Sequence, residues 1–343
     1  MLKLSIALCS YNGELYLKEQ LDSIASQTLP PHELVVVDDC SSDGTLEIIR
    51  DFASRVSFSV KVYVNERNLG STKSFEKAIR LCESEIIALA DQDDLWRSDK
   101  LEQIQQCFAQ SLRIGIVFSD ADLVDRDLRD LRRRLWVEVG FNDKKKALLR
   151  RGRTVDVLLS GWTVTGATMA FRSVFRELVL PVPTDIPMIH DGWIALMVGV
   201  VAPVTFIEEA LIRYRQHQRQ QVGAPSRRTL GHEASSKELE TMLDAVYRKN
   251  SYSDLISILE KVRERLLDRR DALKDPTILS LIEKRLKHLK SRANLPEGIV
   301  RRSALVLNEL ITLRYHKYSN GVSSAAKDLL FFASSSRDHG RNT

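Results

Sequence analysis

Short apolar runs alternate with amphipathic segments along the first 120 residues of the chain. Runs rich in Val, Ile and Leu predict strands at residues 4–9, 33–37, 60–65, 86–90 and 114–119. Apolar residues at three- and four-residue spacings predict helices at residues 15–27, 42–52, 71–83 and 98–110. Because this alternation favours βαβ units, the sequence predicts an α/β fold with a mostly parallel central sheet.

The pattern changes twice further along the chain. Residues 127–153 are irregular and basic, and they are predicted to form an insertion outside the core. After Pro225 the strand pattern stops, and charged amphipathic segments predict helices at residues 237–249, 252–274 and 277–292. These changes predict two domains, an α/β domain at residues 1–224 and a helical, basic region at residues 225–343.

The composition is that of a soluble globular protein, with 43% hydrophobic and 28% charged residues among 343. No apolar stretch reaches the length of a transmembrane helix, and the first residues lack the features of a secretory signal. The four cysteines, Cys9, Cys40, Cys82 and Cys107, are not spaced as pairs. These features predict free thiols and a cytoplasmic location.

Charge is distributed unevenly along the chain. Residues 225–343 contain 23 Lys and Arg against 15 Asp and Glu, whereas the preceding residues are slightly acidic. Two interpretations stay open, namely contact with an anionic membrane surface or acceptor, and an ordinary solvated helical surface. The basic residues are interleaved with acidic ones and lack aromatic neighbours for stacking, so no nucleic-acid partner is expected.

Polar residues gather where the predicted strands end. Asp38 and Asp39 follow the second strand, the run from Asp91 to Asp94 follows the fourth, and residues 10–12 follow the first. In open α/β sheets, ligands bind in the crevice at the carboxyl ends of the strands. These polar residues are therefore predicted to converge on one site.

The sequence Asp91-Gln92-Asp93-Asp94 carries the strongest chemical signal. Three carboxylates in four residues repel one another, and a hard divalent cation such as Mg²⁺ or Mn²⁺, shared with substrate phosphates, resolves that repulsion. A helix N-cap would explain Asp93 or Asp94 singly, but not the set. Asp38 and Asp39 fit two roles equally well on local sequence, contact with a nucleoside or capping of the next helix.

Four segments together resemble the inverting glycosyltransferases of family 2. They are Ser5-Ile6-Ala7-Leu8-Cys9-Ser10-Tyr11-Asn12-Gly13, Val35-Val36-Val37-Asp38-Asp39-Cys40-Ser41-Ser42-Asp43-Gly44-Thr45, Asn68-Leu69-Gly70 and Ala90-Asp91-Gln92-Asp93-Asp94-Leu95-Trp96. Their order and spacing match as well as their residue types, and the Asp-Gln-Asp-Asp form is most similar to rhamnosyltransferase-like members that build bacterial surface polysaccharides. The resemblance covers about residues 1–223.

The resemblance implies a GT-A fold, a nucleotide-sugar-binding α/β sandwich. By position it implies donor contacts from Tyr11, Asn12, Glu14, Asp38, Asp39, Lys73, Ser74, Asp91, Gln92 and Arg215. It makes Asp93 the main protein ligand of Mg²⁺ or Mn²⁺, with Asp91 and His217 as further metal ligands. His217 alone would more often be a structural histidine.

An inverting reaction needs a general base that deprotonates the acceptor hydroxyl. The family places an acidic residue at the start of a helix, which implies Asp191 as the base, although His190 stands where the family often has Glu. Without the resemblance, Asp191 would be interpreted as a helix N-cap. Acceptor contacts are implied for Trp162, Thr165, Gly166, His190 and Trp193.

The implied activity is transfer of one sugar from a UDP- or dTDP-sugar to a glycan or lipid-linked acceptor, as in O-antigen or capsule synthesis. The Gln-x-x-Arg-Trp motif of processive synthases is absent, which favours a single addition. Two alternatives remain. A sugar-nucleotide nucleotidyltransferase would need a Gly-rich phosphate loop after the first strand, and a non-enzymatic basic binding module rests only on the C-terminal charge.

Overall fold

The computed structural model describes residues 2–161, 163–218, 220, 252–269, 275, 277–319 and 321–330. The chain divides into two compact units, Met1–Lys249 and Asn250–Thr343. The predicted boundary between residues 224 and 225 and the predicted helix at 237–249 fall outside the described residues.

Strands and helices alternate through the first unit. Its strands are β1 (Leu4–Ser10), β2 (Glu33–Asp38), β3 (Ser59–Val64), β4 (Ile86–Ala90), β5 (Leu95–Trp96), β6 (Ile116–Val124), β7 (Asp130–Arg134), β8 (Met169–Arg172) and β9 (Val204–Arg215). Its helices are α1 (Leu17–Ala25), α2 (Thr45–Arg55), α3 (Ser71–Leu81), α4 (Lys100–Gln110), α5 (Leu135–Glu138), α6 (Asp143–Arg150), α7 (Thr154–Leu158), α8 (Arg176–Val179) and α9 (His190–Val201).

The strands form one mixed sheet in the order β3-β2-β1-β4-β8-β6-β9-β5, and β7 pairs with β6. The first four strands in this order are parallel, β8 runs antiparallel to both neighbours, and β6 is parallel to β9. The α/β fold predicted from the sequence is confirmed, and its parallel half carries the loops of the candidate site.

The core explains why the early strands have continuous apolar sequences. Leu34, Val35, Val36 and Val37 of β2 are all fully buried, as expected for a parallel strand with both faces covered by helices. Apolar side chains of α1, α2 and α4 pack against one face of this sheet in a single cluster. This rigid layer fixes the positions of the loops that leave the strand ends.

The predicted insertion at residues 127–153 is wrong, because this segment contributes to the core. Strand β7 extends the sheet, and Trp136 is only 5% exposed. Its ring lies 4.9 Å from Phe141, 5.6 Å from Phe206 and 5.7 Å from Phe118, measured between ring centroids. Lysines and arginines around a few aromatic side chains concealed this aromatic cluster in the sequence.

Strand β9 was not predicted from the sequence. Two glutamates, Glu208 and Glu209, interrupt its apolar pattern at the position where its register against β6 shifts. The strand pairs with β6 along most of its length and with β5 near its end. It thereby carries Arg215 and the following His217 to the loop that precedes β5.

The second unit is helical, as predicted. Its helices are α10 (Tyr252–Asp268), α11 (Thr277–Ala293), α12 (Ile299–Ile311), α13 (Arg314–Tyr318) and α14 (Val322–Leu330). No helix within the described ranges is both long and apolar enough to cross a membrane.

A polar network is buried between helices of the second unit. His288 contacts Glu309 Oε2 through Nδ1 at 2.7 Å and Ser319 Oγ through Nε2 at 2.8 Å. Arg292 makes two hydrogen bonds with the carboxylate of Asp328, at 2.6 and 2.9 Å. Each buried charge of this network has a partner of opposite charge or a hydrogen bond.

Candidate active site

The loops after β1, β2 and β4 meet at the carboxyl edge of the sheet. Asn12 and Cys40, in the first two loops, adopt left-handed backbone conformations with φ of 46° and 66°. Such conformations cost non-glycine residues free energy and are concentrated at functional sites. The three loops form a connected platform at the edge where ligands bind in this class of sheet.

The loop after β1 is held by side chains from the other loops. Consecutive backbone N–H groups donate to them, namely Tyr11 to Gln92 Oε1 (2.8 Å), Asn12 to Ser41 Oγ (2.9 Å), Gly13 to Thr45 Oγ1 (2.8 Å) and Glu14 to Asp43 Oδ2 (3.2 Å). A Cβ at Gly13 would lie 2.3 Å from Gln92 Oε1, so only glycine lets Gln92 occupy this place. These N–H groups are therefore not arranged as a phosphate-binding loop, which disfavours the nucleotidyltransferase alternative.

Asn12 and Glu14, predicted to contact the sugar-nucleotide donor, have side chains that hold these loops together. Asn12 Oδ1 accepts from the Ser42 N–H at 2.9 Å, and Glu14 Oε2 accepts from the Gly44 N–H at 2.9 Å. Tyr11 is 46% exposed, so its ring is the large surface of this loop that remains open to a ligand.

The carboxylates of Asp38 and Asp39 hold neighbouring loops in place by hydrogen bonds. Asp38 is fully buried and accepts from Ser10 Oγ at 2.8 Å and from Ser41 Oγ at 2.6 Å. Asp39 accepts from the N–H groups of Leu69 and Gly70, both at 2.8 Å. Burial raises the pKa of Asp39, but these hydrogen bonds and one from Asn65 outweigh it and hold the pKa below its usual value.

Lys73 and Ser74, also predicted to lie near the donor, are engaged within the protein. Lys73 Nζ contacts Glu76 Oε2 at 3.0 Å and Val182 O at 3.5 Å. Ser74 is fully buried, and its hydroxyl accepts from Asn65 Nδ2 at 3.0 Å. A donor contact from Ser74 is therefore contradicted, because no part of its side chain reaches the surface.

The acidic loop, Asp91–Asp94, carries buried carboxyl groups that repel one another. Burial and the charges of Asp93 and Asp191 together raise the pKa of Asp91 to about 7, although the charge of Lys100 lowers it. Burial likewise raises the pKa of Asp94, and its Oδ2 has no hydrogen-bond partner among the described residues. The effect of Asp191 on Asp91 shows that the predicted base and the acidic loop lie at the same site.

Asp93 and His217 form the predicted metal-binding pair. His217 Nε2 lies 2.8 Å from Asp93 Oδ2, and both side chains are nearly buried, at 7% and 12% exposure. Within the described parts of the chain, no group of three or more His, Cys, Asp and Glu side chains is arranged around a common point. Asp93 nevertheless supplies an oxygen ligand of the kind that Mg²⁺ and Mn²⁺ prefer, and such a cation completes its shell with phosphates and water, whereas an imidazole such as that of His217 is not a usual ligand of Mg²⁺.

The predicted phosphate contact of Arg215 is wrong. Its side chain is 1% exposed, and its nitrogens donate to Asp93 O at 2.7 Å, Arg126 O at 2.6 Å and the Glu19 carboxylate. Its backbone N–H donates to Asp94 Oδ1 at 3.0 Å. Arg215 therefore fixes the shape of the acidic loop from beneath, where no ligand reaches it.

Asp191 is the first-turn acid of α9, as the sequence predicted. Its Oδ2 accepts from the Gly166 N–H at 3.0 Å and its Oδ1 from the Gly192 N–H at 2.6 Å. Burial raises its pKa to about 7, although the hydrogen bonds from Gly166 and Gly192 lower it. A base with a pKa near 7 combines the deprotonated form with a strong affinity for a proton at neutral pH.

Gly166 lets its own loop approach Asp191 closely. A Cβ at this position would lie 3.3 Å from Asp191 Cβ and 3.6 Å from His190 Nε2. An added Cβ would crowd Asp191 and make ordinary contact with His190, whereas glycine brings its N–H into hydrogen-bonding distance of the carboxylate. Thr165 precedes this turn and accepts the N–H of Thr168 at 3.0 Å.

The remaining residues predicted to contact the acceptor are His190, Trp193 and Trp162. His190 stacks on Phe75 with ring centroids 4.3 Å apart, and burial lowers its pKa to about 3, so it is neutral. Trp193 is fully buried and donates to Val179 O at 2.8 Å. An acceptor contact from Trp193 is therefore contradicted, since α9 turns this ring into the core. Trp162 lies outside the described residues.

The structure adds groups that the sequence did not indicate. Lys100 is fully buried, its Nζ donates to Ala167 O at 2.7 Å, and it lies 3.6 Å from the centroid of the Trp96 ring. Asn65, at the end of β3, donates to Asp39 Oδ1 at 2.8 Å. The position of Asn65 after a strand could have identified it, but no local pattern separates Lys100 from an exposed lysine.

A family model for glycosyl transferase family 2 matches residues 5–179, which is half of the chain. The chain belongs to glycosyl transferase family 2. This match includes the loops after β1, β2 and β4 and the Gly166 turn, and it ends before Asp191. The resemblance inferred from the four sequence segments is thereby confirmed.

Similar proteins include one from Bacillus subtilis and one from Staphylococcus aureus. The putative teichuronic acid biosynthesis glycosyltransferase TuaG of Bacillus subtilis is 33% identical over 123 residues, 36% of this chain and 48% of that protein. The poly(ribitol-phosphate) beta-N-acetylglucosaminyltransferase TarS of Staphylococcus aureus is 36% identical over 105 residues, 30% of this chain and 18% of TarS. The chain thus spans about half the length of TuaG and less than a fifth of TarS.

Solved structures support the fold over a longer range. The crystal structure of S. aureus TarS residues 1–349 in complex with UDP-GlcNAc superposes with a TM-score of 0.56 at 16% identity. The superposition covers 95% of this chain and 90% of that one. The GT-A fold implied by the sequence is confirmed, and at this identity the likeness extends to the fold alone.

Proposed function

We propose that this family member transfers one sugar, with inversion, from a nucleotide-sugar donor to an acceptor hydroxyl, with Asp191 as the base. The observation that carries the proposal is the setting of Asp191. Its carboxylate is buried, is held by two backbone N–H groups and has a pKa of about 7. It also acts electrostatically on Asp91 of the acidic loop, at the edge where the family binds donors.

The chemistry follows from this placement. Asp191 takes the proton of the acceptor hydroxyl, and the oxygen attacks the anomeric carbon as the bond from that carbon to the nucleotide diphosphate breaks. Asp93 and His217 would hold Mg²⁺ or Mn²⁺, with Asp91 beside them, and the cation would supply positive charge to the leaving diphosphate. The protein contributes the fixed loops that orient the donor, and Tyr11 offers its exposed ring to the base.

We infer a UDP-sugar as the donor, with a dTDP-sugar as the alternative, and a bacterial surface polysaccharide or its lipid-linked precursor as the acceptor. Support comes from TuaG, named for teichuronic acid synthesis, and from TarS, crystallised with UDP-GlcNAc. The transferred group is a hexosyl or a rhamnosyl group.

Calorimetry with UDP and dTDP tests the donor site directly. We expect one nucleotide to bind in the presence of Mn²⁺, and we expect Asp93→Ala to abolish the metal-dependent part of binding. Asp51→Ala, which removes an exposed carboxylate of α2, is the matched control and should bind like the wild type. If UDP, dTDP and GDP all fail to bind with Mn²⁺ or Mg²⁺ present, the enzymatic proposal is wrong.

We also propose peripheral contact of the second unit with an anionic membrane, in keeping with a cytoplasmic enzyme that acts on a lipid-linked acceptor. Val300, Leu307 and Ile311 recur along one side of α12 and are 79%, 58% and 72% exposed. Exposed Arg301 and Lys317 lie close to them in the sequence. Apolar side chains with basic neighbours suit the interface of an anionic bilayer.

Co-sedimentation with vesicles of anionic lipid tests this contact. We expect replacement of Val300, Leu307 and Ile311 by Ser to release the protein from the vesicles. A matched triple substitution of exposed apolar residues elsewhere, Leu112, Val137 and Val174, should leave binding unchanged. Equal binding of both variants would contradict the proposed surface.

A further inference from the structure

A buried lysine lies beneath the candidate site and is not used by the proposed reaction. Lys100, the first residue of α4, is fully buried, and its side chain lies over the Trp96 ring with Nζ 3.6 Å from the ring centroid. Its ammonium has three donors, yet among the described residues its hydrogen bond is the single one to Ala167 O, at 2.7 Å. Burial of a cation with so few hydrogen bonds is costly, so its retention needs a reason.

The electrostatic surroundings of Lys100 give one part of that reason. Burial lowers its pKa to about 7, whereas the charges of Asp94 and Asp91 raise it. The lysine is therefore the cation that offsets the negative charge of the acidic loop from the protein side.

The hydrogen bond of Lys100 gives the other part. Its acceptor, Ala167, directly follows Gly166, and the Gly166 N–H donates to Asp191 Oδ2 at 3.0 Å. One side chain thus faces the acidic loop and also anchors the turn that orients Asp191.

We propose that Lys100 is a positioning residue that ties the acidic loop to the Gly166 turn and thereby holds Asp191 in its productive orientation. The proposal rests on the proposed role of Asp191 as the base. Without Lys100, the turn is free to move away from Asp191. The carboxylate then loses a hydrogen bond that stabilises its charged form.

The test compares Lys100→Met with Arg172→Met. Arg172 is a matched control, since it is a nearly buried cation that donates to backbone carbonyls, Ile114 O and Phe108 O at 2.9 Å, at the other end of β8. Both substitutions should lower stability. If Lys100→Met does not fold, Lys100→Gln, which keeps a donor but no charge, is measured in its place.

Two readouts separate positioning from plain stability. With UDP-GlcNAc as the probe donor, Lys100→Met should lower kcat about fivefold at pH 7 and about tenfold well below it, with KM little changed, because the acid limb of its pH profile moves up by roughly one unit. Carbon-13 NMR titration of the Asp191 carboxyl, assigned with Asp191→Asn, should show the same upward shift. Arg172→Met should move neither.

The outcomes are distinct for the two proposals. An Asp191 titration in Lys100→Met that matches the wild type would overturn the positioning role, whatever happens to stability. If the wild type turns over no donor, the proposed function is in doubt, but the NMR titration still decides whether Lys100 sets the environment of Asp191.

Discussion

The chain buries two polar clusters, one in each unit, and they are built on opposite principles. In the second unit, His288 pairs with Glu309 and Arg292 pairs with Asp328, so every charge has a close partner. In the first unit, Asp94 and Asp191 are buried, the half-buried Asp91 is affected by the charge of Asp191, and Asp94 Oδ2 has no partner among the described residues. A fully paired cluster serves the fold, whereas repelling carboxylates are retained for what they bind or the protons they move.

The largest expected effect comes from Asp191→Asn. The amide keeps the size of the side chain but cannot accept a proton, so we expect kcat to fall by about 10² to 10⁴. Stability should change little, because the removal of a costly buried carboxylate is offset by the loss of one of its two hydrogen bonds from backbone N–H groups. Nucleotide release from UDP-GlcNAc and thermal unfolding measure the two effects, with Asp51→Asn as control. Activity within twofold of the wild type would remove Asp191 from the mechanism.

In the polar cluster of the second unit, removal of one carboxylate should instead lower stability. Asp328→Ala leaves Arg292 buried without its partner, and breaking such a pair costs about 3–5 kcal/mol of stability. Hydrogen exchange resolved by peptide should show the loss within α11 and α14. Glu264→Ala, which removes an exposed carboxylate that pairs with Lys261, should cost less than about 1 kcal/mol. Similar losses in both variants would mean that the network contributes nothing beyond a surface pair.

The sequence predicted the framework of the site better than the directions of its side chains. The apolar runs of β1, β2 and β4 predicted these strands correctly. Because the carboxyl ends of parallel strands share one edge of the sheet, the sequence also predicted that Asp39 and Asp91 converge there. Arg215 and Trp193 were misassigned because neighbouring residues do not reveal which side of a strand or helix faces the core. The meeting of Gly166 with Asp191 depends on packing between segments 25 residues apart, which no local pattern records.

The pH dependence of kcat should depend on the polar cluster of the first unit and not on that of the second. Asp191 must be deprotonated to act, and its pKa is about 7, so kcat should rise tenfold per pH unit below that value and level off above it. Measurement of kcat for UDP-GlcNAc turnover over about pH 5 to 9 tests this. A rate that stays constant down to about pH 5 would contradict a base with a raised pKa.

The smallest expected effect concerns the pH dependence of stability, which should have opposite signs in the two units. The pKa of Asp191 is raised from 3.8 to about 7, so between these values the native state holds a proton that the unfolded state has released. The first unit therefore loses stability as pH rises through this window.

His288 has the opposite sign. Burial lowers its pKa, outweighing the effect of Glu309, which raises it, while Arg292 lowers it further and Asp328 raises it. Below pH 6.5, His288 binds a proton in the unfolded state but stays unprotonated in the native state, so the second unit loses stability as the pH falls. Hydrogen exchange of each unit at mildly acidic and neutral pH, corrected for intrinsic rates, should show protection that changes in opposite directions. His288→Asn should remove the acid sensitivity of the second unit only, and an unchanged response would mean that another group controls it.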